Sequence, residues 1–255
     1  MISTAKPFLA GTVLLICLFI PLVSFAQEVS PAETSQQARF FASGGSSYQF
    51  KSDVTGGGDF SLTRYSVALG GGGPIEGGVG AGFGITYDYE DYDFSNVRGF
   101  PVSNPWSKID RVGVNVRLNY KLTDAWTAHM APMVQYAGER GADFGDSLIY
   151  GGMVGASYRV SRDLLVGFGL GAFYRLEETR VFPSLIISWR INDRLRLGNS
   201  YRLGPAGPAG LELTYALDKQ WDLGLGAGYR SSRFRLDENG PIRSGIGEND
   251  SWPVY

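Results

Sequence analysis

RVGVNVRLNYKL, residues 111–122, alternates apolar and polar side chains without a break. Val112, Val114, Val116, Leu118, Tyr120 and Leu122 fall on one side. Arg111, Gly113, Asn115, Arg117, Asn119 and Lys121 fall on the other. A period of two is that of a β-strand with two unlike faces. GVGAGFGITYDYE (78–90), LLVGFGLGAFYR (164–175) and WDLGLGAGYR (221–230) alternate in the same way, with glycine filling much of the second face. As helices these stretches would scatter their apolar residues all round, and each interior glycine would cost about 1 kcal/mol.

The end of the first stretch opens a phrase that returns. NYKLTDAW (119–126) is followed by SYRVSRDL (157–164), SWRINDRL (188–195) and TYALDKQW (214–221). Each runs small polar, aromatic, usually basic, aliphatic, a polar stretch, then Leu or Trp. The phrase reads as a hairpin turn met once per hairpin. Strands are expected at roughly 38–52, 60–70, 78–90, 110–122, 126–136, 148–160, 164–175, 181–191, 195–203, 210–217, 221–234 and from 251 onward. Tight connections alternate with longer polar or glycine-rich ones at 91–109, 137–147, 204–209 and 235–250. Short turns at one end and longer loops at the other are the pattern of an outer-membrane barrel, whose tilted strands need about 9–11 residues. The expected fold is all-β: a transmembrane antiparallel up-and-down barrel of about twelve strands.

The N-terminus is read separately. In MISTAKPFLAGTVLLICLFIPLVSFA (1–26), Lys6 is the only charge, an apolar core follows, and Ser24-Phe25-Ala26 supplies small residues at −3 and −1. This is the pattern of a signal peptide cleaved after Ala26. Cys17 would leave with it. Residues 27–37 form a short polar lead-in, and 38–255 form the barrel domain. Without Lys6, 22 basic residues face 25 acidic ones, no basis for nucleic-acid binding.

If the apolar face meets lipid, the other face is the lumen. Arg111, Arg117, Arg159, Arg175, Arg190, Arg196, Arg202 and Arg230 share it with Asp88, Glu90, Glu212 and Asp222. Two readings stand: a water-filled path for a small anionic solute, or a lumen plugged by arginine–carboxylate pairs. Tyr120, Trp126, Tyr158, Trp189, Tyr215 and Trp221 fall at the inner ends of strands. Tyr136, Tyr174, Tyr201 and Tyr229 fall at the outer ends. Two aromatic girdles at the headgroup level are expected.

His129, the only histidine, faces the lumen mid-strand without a G-x-S-x-G or other nucleophile pattern, and reads as structural. A membrane-embedded hydrolase or protease with His129 as base is the alternative from another class. An adhesin or receptor working through its outer loops is a third. The acidic residues of YDYEDYDF (87–94) and LDENG (236–240) match no calcium-loop spacing. No catalytic residue, metal or cofactor is expected. The partners expected are outer-membrane lipid and the barrel-assembly machinery.

With leader, repeated turns and girdles in place, the chain resembles a Gram-negative outer-membrane β-barrel. LIISWRINDRLRLGNSYRLGPAGPAGLELTYALDKQWDLGLGAGYRSSRFRLDENG (185–240) resembles a family of functionally uncharacterised bacterial outer-membrane barrels. That resemblance implies the location and carries over no functional residue. The ending GENDSWPVY departs from the pattern: Ser251 and Pro253 stand where apolar residues are expected, so the twelfth strand reads as cut short.

Overall fold

The structure is a computed structural model that describes residues 12–18, 38–199 and 210–254. Fourteen strands occur among them. β1 is Thr12–Leu18, β2 Arg39–Asp53, β3 Asp59–Pro74, β4 Val79–Ser95, β5 Lys108–Lys121, β6 Trp126–Glu139 and β7 Leu148–Arg159. β8 is Leu164–Arg175, β9 Thr179–Arg190, β10 Leu195–Gly198, β11 Gly210–Ala216, β12 Asp222–Gly228, β13 Arg230–Arg235 and β14 Ile246–Val254. β2 to β12 pair antiparallel with their chain neighbours. β12 meets β14 at Ala227 and Val254, β14 meets β1, and β1 meets β2, so the sheet closes into a ring. Ring closure pairs backbone N–H and C=O groups that an open sheet edge would leave bare, which lipid does not tolerate. No helix of the described residues is long and apolar enough to cross a membrane.

The faces divide as the alternation predicts. Val112, Val114, Val116, Leu118, Tyr120 and Leu122 are exposed on the outside, as are Val67, Leu69, Phe83, Ile85, Phe168, Leu170, Leu223 and Leu225 on other strands. A water-soluble barrel would bury such residues; here they point outward, the arrangement of a transmembrane barrel.

The repeated phrase builds one turn four times. Its aliphatic residue and the residue after it both donate their N–H to the carbonyl of the residue closing the phrase. Leu122 and Thr123 bond Trp126, Val160 and Ser161 bond Leu164, Ile191 and Asn192 bond Leu195, and Leu217 and Asp218 bond Trp221. The fifth position is always Thr, Ser, Asn or Asp, and its side-chain oxygen accepts two N–H groups of the turn. Asp218 Oδ1 accepts from Gln220 N at 2.7 Å and Trp221 N at 2.9 Å. Thr123, Ser161 and Asn192 accept in the same way. These residues favour such local turns because a short polar side chain mimics the backbone acceptor. The copies are also stitched together: the third residue of one donates to the seventh of the copy before, as Arg159 N to Ala125 O and Arg190 N to Asp163 O, both at 2.8 Å.

Four features differ from the expectation. The stretch 221–234 is two strands, because the wall strand stops at Gly228 and β13 leaves the wall. The last strand starts at Ile246 rather than 251. Loop 91–109 shrinks to 96–107, because alternation continues through Tyr92 and Phe94 on the inward face. Finally, Thr12–Leu18, inside the segment read as a leader, is a strand whose pairing with β14 is parallel. The lead-in 27–37 lies outside the described residues.

Candidate functional site

The end with the repeated turns is called inner here, the other outer. The outer mouth is filled by the chain's own side chains. Phe60, Leu62, Tyr92, Trp106, Ile109, Ala137, Ile149, Leu176, Phe234 and Leu236 form a buried cluster, with Phe94 and Phe100 packed against it. Phe234 and Ile109 are 0% exposed and Leu236 is 2% exposed. Trp106 is the hub, edge-on to Phe94 at 5.2 Å, Phe100 at 5.4 Å, Phe234 at 5.4 Å and Tyr92 at 6.1 Å. Two segments supply this plug: loop 96–107, and the hairpin in which β13 turns into the lumen and returns through β14. Glu139 ties them together, accepting from Ser107 N at 3.0 Å and Asp237 N at 3.2 Å. The hairpin tip also docks closely on the neighbouring outer loop. Gly141 has φ +96° there, and a Cβ on it would lie 2.4 Å from Asp237 Oδ1.

Beneath the aromatic cluster the lumen is charged. Glu90 is fully buried and sits among three guanidiniums: Arg64 at 2.5 Å, Arg111 at 3.5 Å and Arg230 at 3.5 Å. Tyr92 Oη also donates to it at 3.1 Å. Arg111 reaches β13 directly, at Arg233 O (3.2 Å) and at Ser232 Oγ. From β8 and β9, Arg175 and Arg180 donate to Ser231 Oγ at 2.9 and 3.2 Å. Arg233 pairs with Glu178 at 2.5 Å, and Arg235 with Glu177 at 3.2 Å. At Glu178, burial pushes the carboxyl up, but the Arg180 hydrogen bond and the charges of Arg180 and Arg233 outweigh it. The group stays below its ordinary value. A cavity of about 20 Å³ remains beside Arg64, Arg230 and Asn249, room for one water rather than a hydrated solute.

The predicted lumen arginines thus separate by level. Arg111, Arg175 and Arg230 belong to the network under the plug. Arg117 and Arg159 lie exposed in the inner half. Arg190, partly buried, stands 3.9 Å from Asp163, and Arg196 is partly buried. Arg202 lies outside the described residues. Arg64, Arg180, Arg233 and Arg235 went unnamed among the predicted lumen arginines. Arg233 and Arg235 have the wrong parity for a wall strand, and they are enclosed because β13 has buried residues on both faces. Two lumen-side glycines sit tightly against the neighbouring strand. A Cβ on Gly151 would lie 2.2 Å from Ala172 O, and one on Gly167 2.4 Å from Ala156 O. These glycines permit close strand approach rather than opening space.

Of the predicted girdle residues, Tyr120, Trp126, Tyr158, Tyr174, Trp189, Tyr215 and Trp221 are exposed on the outer surface. Trp126 packs on Tyr158 at 5.0 Å, linking two copies of the phrase. Tyr136 stacks on Phe144 and Tyr229 contacts Trp252, both half-buried. Tyr201 is outside the described residues. Among the described residues, no three of His, Cys, Asp and Glu converge on a point that could hold a metal.

His129 has two partners that sequence reasoning missed. Its Nδ1 lies 2.8 Å from Asn119 Oδ1, and its Nε2 lies 2.7 Å from Ser157 Oγ. The first was legible, since a hairpin turning at 123–125 puts Asn119 opposite His129. The second depends on the β6–β7 register, which the irregular loop between them does not reveal.

No family model matches the chain, and no curated protein sequence matches it. Among solved structures it is similar to the TodX monoaromatic hydrocarbon channel, a deltaS2 mutant, at 12% identity and a TM-score of 0.43, over 77% of this chain and 75% of that one. It is also similar to the siderophore receptor PirA from Acinetobacter baumannii, at 13% identity and a TM-score of 0.35, over 87% of this chain and 46% of that one. The chain therefore spans under half of that receptor. At these identities nothing that either protein transports or binds passes to this chain.

Proposed function

We propose that the protein is an outer-membrane barrel, exported by the leader 1–26, whose outer mouth is closed at rest by its own chain. The enclosure of Phe234 and Leu236 by loop 96–107 and the opposing walls carries this reading. An arginine-lined path runs only as far as the Glu90 network, where Arg111 holds a carboxylate and the hairpin, and Arg230 pairs with the same carboxylate. The exposed aromatics at the strand ends are its headgroup girdles, and the apolar exterior meets lipid after insertion by the barrel-assembly machinery. Cleavage after Ala26 would remove β1 and leave the β2 and β14 edges it pairs to be joined directly or by another strand.

Recording in planar bilayers tests this. The folded protein is expected to give no steady conductance. Deleting 237–244, or combining Phe234→Ala with Trp106→Ala, is expected to open one with anion preference, which Arg117→Ala and Arg159→Ala then reduce. Steady conductance from the intact protein overturns the reading. So does a folded hairpin deletion that stays silent.

A further inference from the structure

We propose that Ser157, His129 and Asn119 form an acyl-transfer site in the inner half of the lumen, with Ser157 as the nucleophile. Three adjacent strands supply them. Asn119 on β5 pairs with His129 on β6, His129 pairs with Gly155 on β7, and Ser157 is the next residue of β7 on that face. Asn119 Oδ1 can only accept a hydrogen bond, so His129 Nδ1 carries the hydrogen. That tautomer leaves the Nε2 lone pair directed at Ser157 Oγ, 2.7 Å away, to take the hydroxyl proton. Nucleophile, base and orienting group therefore stand in working order, and chain order is irrelevant to that arrangement.

Ser157 is 1% exposed, its oxygen held against the imidazole, while Asn119 is exposed and His129 half-buried, so an ester reaches Ser157 Oγ only after a covering side chain moves aside. In register, Gly155 lies beside Gly169, and Ser157 lies between Thr127 and Gly167. One edge of the site is therefore floored without side chains. Arg159, two residues beyond Ser157 on the same face, puts a positive charge at this level of the lumen. Arg117, two before Asn119, adds a second positive charge to the face. The substrate class is a carboxylic ester carrying an anionic group, entering from the inner end.

In the reaction Ser157 Oγ attacks the ester carbonyl as its proton passes to His129 Nε2. The tetrahedral intermediate expels the alkoxide, which His129 protonates, leaving an acyl-serine. A water, deprotonated by His129, attacks that ester, and Ser157 recovers its proton as the carboxylic acid leaves. Asn119 is a positioning residue. The site rests on the closed-mouth reading only for the side of entry, and a covalent label does not depend on it.

The test is labelling of the full-length folded protein with a fluorophosphonate, located by peptide mass spectrometry, beside hydrolysis of p-nitrophenyl butyrate. A single adduct is expected on Ser157, lost in Ser157→Ala and formed about 100-fold more slowly in His129→Ala. Asn119→Ala is expected to slow labelling, and Asn119→Asp to restore it, since an aspartate accepts the same hydrogen bond. Heat-modifiable gel mobility reports folding of each variant. Should a variant misfold, the wild-type labelling rate is expected to rise with pH through one ionisation in the histidine range. No adduct, an adduct on another serine, a rate indifferent to His129 in a folded variant, or a flat pH profile overturns the proposal.

Discussion

The inner rim and the outer mouth are built from the same strands on opposite principles. At the inner rim the contacts that form each turn are local. A Thr, Ser, Asn or Asp caps its own turn, and the next copy of the phrase adds one bond to the last. At the outer mouth the decisive contacts join residues far apart in the chain, such as Arg111 with Ser232 and Glu139 with Asp237. Local bonds repeat, so their sequence repeats. Long-range burial has no period, so the outer loops are free to differ and each contributes something different to one core.

The contrast predicts unequal sensitivity. Glu90 is the deepest test of the mouth, because removing it leaves the buried Arg64 and Arg111, and the partly buried Arg230, without their carboxylate. Glu90→Ala is expected to cost about 3–5 kcal/mol, measured by urea unfolding in lipid vesicles. An effect near zero would mean that water already reaches those guanidiniums. At the rim, Asp218→Ala removes an acceptor from two N–H groups that water can still reach. A loss of about 1 kcal/mol is expected in the same assay. If the rim variant costs as much as the mouth variant, the division between local and long-range stabilisation fails.

The smallest effect concerns pH. Glu178 titrates below its ordinary range when folded, so its contribution is present above the unfolded pKa. That contribution fades as pH falls through the lower, folded value, and the grip of Arg180 and Arg233 on the hairpin loosens with it. Protease access to 236–245 should therefore rise in acid, and Glu178→Gln should flatten that dependence at the level reached by the acidified wild type. Unchanged access in both proteins would detach Glu178 from the hairpin.

Legibility followed the same division. Alternation and the four-fold phrase were enough to place β5 to β9 and β11 within a few residues, because a strand's faces and a tight turn depend only on neighbours in sequence. The break at Tyr229 was not legible. LGLGAGYRSSRFRL alternates well enough to read as one strand, and nothing local marks that its second half leaves the wall. Nor did any motif announce Ser157 beside His129, since their meeting depends on the register across an irregular loop.

By itself, then, the sequence determined that this is a barrel, which face of each strand points outward, and where each inner turn falls. Those properties follow from a period of two and from side chains acting on the backbone beside them. Only the tertiary structure decided that a loop and a hairpin pack an aromatic cluster into the mouth, that Glu90 gathers three arginines, and that one histidine stands between a serine and an asparagine. Each of those depends on which residues share a space, and proximity across a closed sheet is set by register and by a hairpin folding inward.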